Sequence, residues 1–394
     1  MNRIMKKILV YLYEDELSPK GGQLGYNYIL KKQLDKLGAD NIHYIKLHRS
    51  FDKAAKTWVE SIKNDRIRYI LTILKSVLKK SIQMYGCNNK AVVKLDEYDI
   101  IHFHSAIDMF MVRDSLKDYR GKVVFTSHSP SLLSYEMYQG LTAFERQHMN
   151  WLYRNLTKID EYAFSRADYF IFPCPEAEEP YYHTWQKYEK LKQDKGEKFR
   201  YLLTGTNART AKVNRNTILK KYHIPEDAFI ISYAGRHNEL KGYDRLKQIG
   251  ERVLKNNKDV YFLIAGKEDP IHGLNHPRWI EVGWTSDPHS LIAASHVFVL
   301  PNRETYFDLV LLEVLSLGKV IVASNTGGNR YFRKKSKGIV LYDTIDEACN
   351  AIKSLSKMTE NKLSEYGQQN YNLYNESFTD EIFAKNYISL MNSL

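Results

Sequence analysis

Residues 297–328 read VFVLPNRETYFDLVLLEVLSLGKVIVASNTGG, and this stretch decides the fold. Its first apolar run ends at Pro301, turn residues follow, and leucines then recur at helical spacing until Gly318. The next apolar run, residues 320–323, is unbroken and rich in β-branched residues, which is typical of a strand buried on both faces. The order strand, polar turn, helix, strand and second glycine turn predicts a parallel α/β sheet.

The turn that precedes this helix is a predicted ligand site. It places a helix N-terminus, with free backbone N–H groups, at the carboxyl end of a parallel strand, and such a place binds anions. We expect Glu313, one to two turns into the helix, to face the ligand. Because a carboxylate repels phosphate, its partners there would be sugar hydroxyls.

The length and composition of the chain limit the functions that it can have. With 394 residues the chain is long enough for two domains, and it is 43% hydrophobic without an apolar run that could span a bilayer. Residues 8–12 read as a first strand, since a signal peptide needs a longer apolar segment and a cleavage site. The three cysteines lie far apart without metal-ligand spacing, so we expect no metal site and a cytoplasmic location.

The net charge of +12 fits phosphorylated ligands, anionic membranes or nucleic acid. No nucleic-acid motif accompanies it, so we predict no nucleic-acid partner. Residues 66–80 interleave basic with apolar residues and predict a cationic amphipathic helix. Packing of its apolar face on the domain is the favoured interpretation, and peripheral contact with an anionic membrane is the alternative.

The first half of the chain predicts a mononucleotide-type unit of strand, glycine turn and helix. Gly21 and Gly22 lie in that turn, before a helix predicted over residues 26–37, and serve either a ligand or only a tight turn. Further strands deliver His102, His104 and His128 to their carboxyl ends, which is the ligand side of an open α/β sheet. We expect His128 to contact substrate, and the other two to be hydrogen-bonded strand-end residues.

A second alternation of strands and helices starts at residue 229. We therefore predict a Rossmann-like acceptor domain over residues 1–203 and a Rossmann-like donor domain over residues 204–375. After a polar linker, a final helix within residues 376–394 is expected to pack back on the first domain.

Together these residues resemble a retaining family 4 glycosyltransferase of the GT-B fold, of the bacterial surface-glycan type. The matching features are Gly235-Arg236 shortly before Lys241-Gly242, the helix that carries Glu313, and Gly327-Gly328. The resemblance implies two Rossmann-like domains facing a central cleft. It also implies transfer of a hexose or N-acetylhexosamine from a nucleotide sugar, UDP in preference, to a hydroxyl of a surface glycan, lipid-linked or glycoprotein acceptor.

The resemblance assigns roles to individual residues. Arg236 and Lys241 match the cations that hold the donor diphosphate, and they offset the charge that builds on the departing nucleotide. Glu313 matches the acid that binds the ribose hydroxyls, and His128 the histidine near the transferred sugar. Further donor contacts are expected at Gly22, Trp284 and Thr285, the last two beside the base. The chain contains no D-x-D triplet, so we predict metal independence, with the nucleotide sugar as co-substrate and no other cofactor.

The chain departs from the family pattern at one place. The first acid of the family's E-x7-E motif should fall at position 305, where the chain has Thr305. Glu304 stands one residue earlier, and Asp308 replaces a glycine. Either Glu304 or Asp308 takes over the contacts of the first acid, with backbone N–H groups of Tyr306 and Phe307 offered to the donor, or donor binding is altered. A non-catalytic GT-B subunit that binds a glycan, protein or partner transferase is the alternative function.

Overall fold

The computed structural model describes residues 5–12, 17–19, 22–45, 61–85, 91–128, 131–139, 141, 143–148, 150–268 and 270–394, with backbone alone at 76–85, 143–145, 150–153 and 155. The chain divides into two compact units. The first comprises Met1–Phe172, Tyr181–Leu202 and Asn386–Leu394, and the second comprises Pro173–Pro180 and Leu203–Lys385.

The first unit is built on a six-stranded parallel sheet. Its strands are β1 (Ile8–Tyr11), β2 (Ile42–Tyr44), β3 (Ile100–Phe103), β4 (Lys122–Phe125), β5 (Tyr169–Phe172) and β6 (Phe199–Tyr201). The spatial order is β2-β1-β3-β4-β5-β6, which reverses direction between β1 and β3. Its helices are Gly22–Lys36, Asp65–Tyr85, Ala106–Met111, Leu133–Gln139, Ala143–His148, Asn150–Arg166, Glu179–Thr184 and Tyr188–Lys195.

The second unit repeats this architecture. Its strands are β7 (Phe229–Ala234), β8 (Val260–Ala265), β9 (Trp279–Gly283), β10 (Val297–Leu300), β11 (Val320–Ser324) and β12 (Ile339–Tyr342), in the order β12-β11-β10-β7-β8-β9. Its helices are Arg215–Lys221, Tyr243–Asn256, Pro288–Ala294, Leu309–Ser316, Ile345–Leu355 and Glu360–Ser377. The order reverses between β7 and β10, and in open α/β sheets such a reversal marks the ligand crevice at the carboxyl ends of the strands.

The stretch 297–328 forms the centre of the second unit as the sequence predicts. All residues of β10 and β11 are buried, because helices cover both faces of the sheet. The helix Leu309–Ser316 buries Leu311, Leu312, Val314 and Leu315 against them. The second glycine turn is a short 3-10 helix, Gly327–Phe332. The prediction of two Rossmann-like α/β sheets is confirmed.

The predicted polar linker before the last helix is wrong, since it is the helix Glu360–Ser377. The buried face of this helix carries Leu363, Gly367, Asn370 and Tyr374. Only one of these residues is aliphatic, so hydropathy does not reveal the face. The Asn370 amide nitrogen donates to the carbonyl oxygens of Lys319 and Gly338, which ties this helix to the ends of two neighbouring segments. The final helix follows at Asp380–Ser393, and Asn386–Leu394 group with the first unit.

The first helix begins at Gly22, four residues before the predicted start. Gly22 has a φ of +45°, a backbone conformation that favours glycine, and a side chain at this position would meet open space. The need for glycine here is therefore conformational. Gly21 and the residues before it in the predicted loop lie outside the described residues, apart from 17–19.

Candidate active site

Lys241 and Asp308 meet where the order of the second sheet reverses. Lys241 lies in the loop after β7, and Asp308 precedes the helix that follows β10. Lys241 Nζ lies 2.7 Å from Asp308 Oδ1. Asp308 Oδ2 accepts further hydrogen bonds from Asn302 and, at 2.7 Å, from the Thr305 hydroxyl. The Asp308 carboxylate is thus held by one cation and two neutral donors.

A close backbone approach joins the two loops that carry this pair. Gly242 has a φ of +65°, and a Cβ at this position would lie 1.8 Å from the carbonyl oxygen of Pro301. Only glycine fits such an approach. The Lys241-Gly242 pair therefore fixes the distance between the loop after β7 and the end of β10.

Glu313 lies one turn farther along the same helix and is held by a second set of partners. Its Oε1 accepts from Arg209 Nη2 at 2.5 Å and Nε at 3.1 Å, and its Oε2 lies 3.1 Å from His289 Nε2. Burial by itself would raise the pKa of Glu313, but the His289 hydrogen bond and the Arg209 charge outweigh it and hold the pKa below its usual value. The carboxylate is therefore charged at neutral pH.

The turn between β10 and helix Leu309–Ser316 contributes some side chains to the core and others to the predicted site. Phe307 is buried and packs against Phe332 and Phe378, so its side chain belongs to the core. The half-buried Glu304 side chain forms no hydrogen bond or ion pair with the part of the chain that the structure describes. No side chain caps the helix at Asp308, which leaves first-turn N–H groups of Leu309–Ser316 for an anion.

The glycine pair Gly327-Gly328 packs against this turn. A Cβ on Gly327, whose φ is +44°, would lie 1.9 Å from the Thr305 carbonyl oxygen, and one on Gly328 would lie 2.1 Å from that of Tyr306. Glu179, from the Pro173–Pro180 segment of the same unit, accepts from the Gly327 N–H at 2.7 Å and pairs with Arg330 at 3.0 Å. The N-terminus of the 3-10 helix Gly327–Phe332 is therefore occupied by the Glu179 carboxylate.

Three further predicted donor residues of the second unit are Arg236, Trp284 and Thr285. Arg236 is exposed beyond β7 and forms no side-chain hydrogen bond or ion pair within the described residues. Trp284, which follows β9, is 77% exposed. The Thr285 hydroxyl accepts from the Asp287 N–H at 3.1 Å, at the start of helix Pro288–Ala294. Lys241, Thr305 and Asp308 are thus linked by hydrogen bonds, whereas these three residues stand apart from that network.

In the first unit the strand-end histidines form a cluster at the carboxyl edge of the sheet. His104 Nδ1 lies 2.8 Å from His128 Nε2, and the ring of Tyr26 lies 4.7 Å from that of His128. Burial lowers the pKa of His128 to about 3, so its ring is neutral at pH 7. His102 bonds Thr126 at 2.8 Å and Tyr387 at 2.9 Å, as predicted for a hydrogen-bonded strand residue.

The predicted cationic helix is observed as Asp65–Tyr85. Several of its apolar side chains are exposed: Ile67, Tyr69, Ile70 and Leu74. The neighbouring Arg66 and Arg68 are exposed as well. Among the described residues, no helix has the length and apolar character needed to cross a membrane.

Two family models match the chain in sequence order. The model described as Glycosyltransferase Family 4 matches residues 21–188, and the one described as Glycosyl transferases group 1 matches residues 228–358. The chain belongs to the family 4 glycosyltransferases. Lys241, Asp308 and Glu313 of this glycosyltransferase all fall within the second match.

Curated relatives of this glycosyltransferase act in surface-polysaccharide synthesis. It is 24% identical over 183 residues to the O-antigen biosynthesis glycosyltransferase WclY of Escherichia coli, covering 44% of this chain and 50% of that protein. It is 24% identical over 163 residues to the Escherichia coli UDP-Gal:alpha-D-GlcNAc-diphosphoundecaprenol alpha-1,3-galactosyltransferase, covering 38% and 42%. The matches thus span about half the length of these relatives or less.

Solved structures match over almost the whole chain. The sucrose-phosphate synthase from Thermosynechococcus elongatus has a TM-score of 0.62 at 17% identity, covering 98% of each chain. Anabaena Alr3699/HepE in complex with UDP has a TM-score of 0.62 at 15% identity, covering 98% of this chain and 100% of that one. These likenesses confirm the GT-B fold of the glycosyltransferase.

Sequence reasoning missed several residues of the site. Arg209 and His289 hold Glu313, Asn302 holds Asp308, and Glu179 caps Gly327. Arg209 lies in an irregular segment without periodicity, and Glu179 lies 148 positions from its partner in sequence. The turn that contains Asn302 gave a local signal, because Asn302 lies only six residues from Asp308.

Proposed function

We propose that this glycosyltransferase moves a hexose or N-acetylhexosamine from a UDP-sugar, with retention of anomeric configuration, to a hydroxyl of a cell-surface glycan, lipid-linked or glycoprotein acceptor. The observation that carries the proposal is the convergence of Lys241, the start of helix Leu309–Ser316 and Glu313 at the carboxyl edge where the second sheet reverses. A cation, free helix N–H groups and a carboxylate acceptor suit a diphosphate next to a sugar.

UDP is the proposed donor nucleotide because proteins similar to this chain carry it. One curated relative is named for the UDP-Gal donor, and a solved structure of the same fold contains UDP. In this chain we assign the ribose hydroxyls to Glu313 and the diphosphate to Arg236 and Lys241. Trp284 and Thr285 are placed beside the base, where the exposed indole offers a surface for stacking.

Glu304 is the proposed replacement for the missing first acid. Asp308 is already engaged by Lys241, Asn302 and Thr305, whereas the Glu304 carboxylate has no such partners in the described part of the chain. A carboxylate without internal partners can accept hydrogen bonds from hydroxyls of the transferred sugar. Tyr306 and Phe307 contribute backbone N–H groups in this proposal, since the Phe307 ring is in the core.

The transfer step is proposed to be independent of metal. Charge that develops on the leaving nucleotide would be stabilised by Arg236, Lys241 and the helix N-terminus, which are fixed before the reaction begins. In the first unit we propose that His128 contacts the transferred sugar. Its neutral ring can exchange hydrogen bonds with a hydroxyl without adding charge.

A panel of nucleotide sugars tests the function. Purified protein is incubated with UDP, UDP-glucose, UDP-galactose, their N-acetylhexosamine counterparts and the matching GDP-sugars, and NMR measures nucleotide binding, UDP release and the product anomer. We expect UDP-sugar turnover, or slow donor hydrolysis without acceptor, that Lys241→Ala abolishes. Failure of UDP and every UDP-sugar to bind would contradict the proposal.

A membrane-facing role of helix Asp65–Tyr85 is the proposal for the acceptor side. Its exposed apolar and basic side chains suit an anionic lipid surface, where a lipid-linked acceptor is held, and the protein would be cytoplasmic and peripheral. We expect anionic liposomes at low salt to retain the protein, and Ile70→Asp with Leu74→Asp to release it. Val92→Asp, at another exposed apolar residue, is the control. Equal retention of all forms would exclude this role.

A non-catalytic subunit is the second candidate, favoured by Thr305 at the position of the first acid and by the neutralisation of Lys241 by Asp308. It predicts glycan or protein binding without donor binding. The same nucleotide panel separates the two functions, since only the enzyme binds UDP.

A further inference from the structure

His237, one residue beyond Arg236, is buried without hydrogen-bond partners for its ring. Its side chain is fully buried, and both ring nitrogens lack a hydrogen-bond partner within the described residues. The ring stacks on Tyr243 with centroids 3.8 Å apart and planes at 4°. Since a buried polar group without a partner costs free energy, two open nitrogens here need an explanation.

Glu281 on β9 offers an open oxygen to this histidine. Its Oε1 accepts from the Tyr243 hydroxyl and, at 2.7 Å, from Trp279 Nε1. Its Oε2 is buried, has no hydrogen-bond partner in the described part of the chain, and lies 3.9 Å from His237 Nδ1. This separation is too long for a hydrogen bond but within the span of two metal–ligand bonds, which is at most about 4.3 Å for zinc.

Glu268, in the loop after β8, completes a set of three. Its carboxylate accepts from His272 at 2.7 Å and from the Gly273 N–H at 3.1 Å, so the side chain is oriented. Backbone hydrogen bonds fix its loop against His237: the His237 N–H donates to Lys267, and the Ile271 N–H donates to His237. One ligand atom from each of His237, Glu268 and Glu281 lies within 4.8 Å of the others, so a shift of the exposed Glu268 side chain by about 0.5 Å brings all three within reach of one ion.

We propose that His237, Glu268 and Glu281 bind a divalent transition-metal ion, with Zn²⁺ as the probe. One imidazole and two carboxylates are ligands that zinc accepts. The buried His237 ring has two nitrogens without a hydrogen-bond partner among the described residues, so a ring nitrogen is open to a metal. Glu268 is exposed, which gives an ion a path from solvent.

The proposed ion would be structural. It would tie together the loops that follow β7 and β8 and strand β9, and the first of these loops carries Arg236 and Lys241. None of its ligands is among the proposed donor contacts, so the site is independent of the proposed function and of a metal-free transfer step.

Metal binding is tested on tag-free protein that is stripped with a chelator, dialysed and then reloaded with excess Zn²⁺. We expect the full chain to retain one Zn²⁺ after gel filtration, measured by inductively coupled plasma mass spectrometry, and its melting temperature to rise by roughly 5 °C at saturating zinc. Co²⁺ bound in place of Zn²⁺ should give the visible absorption bands of a metal site with a low coordination number. Retention of less than a tenth of an equivalent, with no thermal shift at micromolar zinc, would overturn the proposal.

Variants locate the ion. His237→Leu removes the buried ligand, Glu281→Gln removes a half-buried one, and Glu268→Gln removes an exposed one and leaves the core intact. Each should lower zinc affinity at least tenfold, while His183→Gln and Glu251→Gln, at exposed positions elsewhere, should bind as the unaltered chain does. Circular dichroism verifies folding, and Glu268→Gln keeps the test valid if a buried variant fails to fold. Unchanged binding in Glu268→Gln and His237→Leu would mean an adventitious surface ion only.

Discussion

The carboxyl edges of the two sheets differ in charge, since the second carries ion pairs and the first carries neutral rings. At the edge of the second sheet, Lys241 pairs with Asp308 and Arg209 pairs with Glu313. At the edge of the first sheet, His104 and His128 are neutral rings bonded to each other, with their pKa values lowered by burial. The parallel α/β architecture therefore fixes where a site can form, whereas the strand-end residues decide its charge.

The charged edge suits a ligand that brings its own negative charge, and the neutral edge suits hydroxyl groups. A diphosphate gains from cations and helix N–H groups, while a sugar needs donors and acceptors without net charge. This contrast matches a nucleotide at the second unit and a sugar hydroxyl at the first. Five variants or measurements test this difference in charge, and the largest expected effect comes first.

Lys241→Ala should have the largest effect on the activity of the second unit's site. The variant loses the cation closest to the proposed diphosphate and leaves Asp308 as an uncompensated negative charge. We expect the transfer rate to fall by about 10²–10³-fold, the usual result of removing one preorganised electrostatic contact. The measurement is the rate of UDP release at saturating donor.

Lys255→Ala is the matched control, since this lysine lies exposed at the end of helix Tyr243–Asn256. It should keep the original rate. A Lys241→Ala enzyme within threefold of that control would show that the cation does not serve the reaction.

Glu313→Gln should weaken nucleotide binding by about tenfold, or about 1.4 kcal/mol. The amide accepts the ribose hydroxyls less strongly and no longer balances Arg209. Isothermal titration with UDP and with UMP measures the loss, which should be equal for both because the ribose is common to them. A loss for UDP alone would assign Glu313 to phosphate-dependent contacts instead.

Asp308→Asn should strengthen UDP binding by about threefold. It removes the carboxylate that competes with the diphosphate for Lys241, and a partly exposed ion pair of this kind is worth under about 1 kcal/mol. The hydrogen bonds to Asn302 and Thr305 can survive in the amide. Weaker UDP binding would contradict this view of the pair, and a loss confined to UDP-sugars would indicate that Asp308 contacts the donor sugar, as the missing first acid would.

The smallest expected effect is the absence of a titration at His128. With a pKa lowered to about 3, its ring should stay neutral from pH 8 down to pH 5. Because a histidine with a depressed pKa gains its proton only at acid pH, its ring NMR shifts should not change in this range. A titration midpoint near pH 6.5 would mean that His128 is exposed to water like an ordinary surface histidine.

Sequence patterns were sufficient for the sheets and for the location of the second edge. The boundaries of β7, β8 and helix Tyr243–Asn256 follow from unbroken apolar runs and a 3.6-residue period. Family spacing assigned Lys241, Asp308 and Glu313 to one predicted donor site, and it identified Thr305 as the departure.

Partner choice could not be predicted, because it depends on contacts between distant segments. Arg209 meets Glu313 across 104 positions, and Glu179 meets Gly327 across 148. The helix Glu360–Ser377 escaped detection for a different reason, since its buried face uses Asn370 and Gly367 in place of aliphatic residues. The three candidate zinc ligands also come from separate strands or loops, so their spacing in the sequence does not reveal a metal site.

A crystal structure of the UDP complex tests the central claim most directly. We predict the ribose hydroxyls within hydrogen-bond distance of the Glu313 carboxylate, and the diphosphate in contact with Lys241, displaced from Asp308. UDP bound away from helix Leu309–Ser316, or a Lys241–Asp308 pair left intact with no phosphate contact to Lys241, would contradict this account of the donor site.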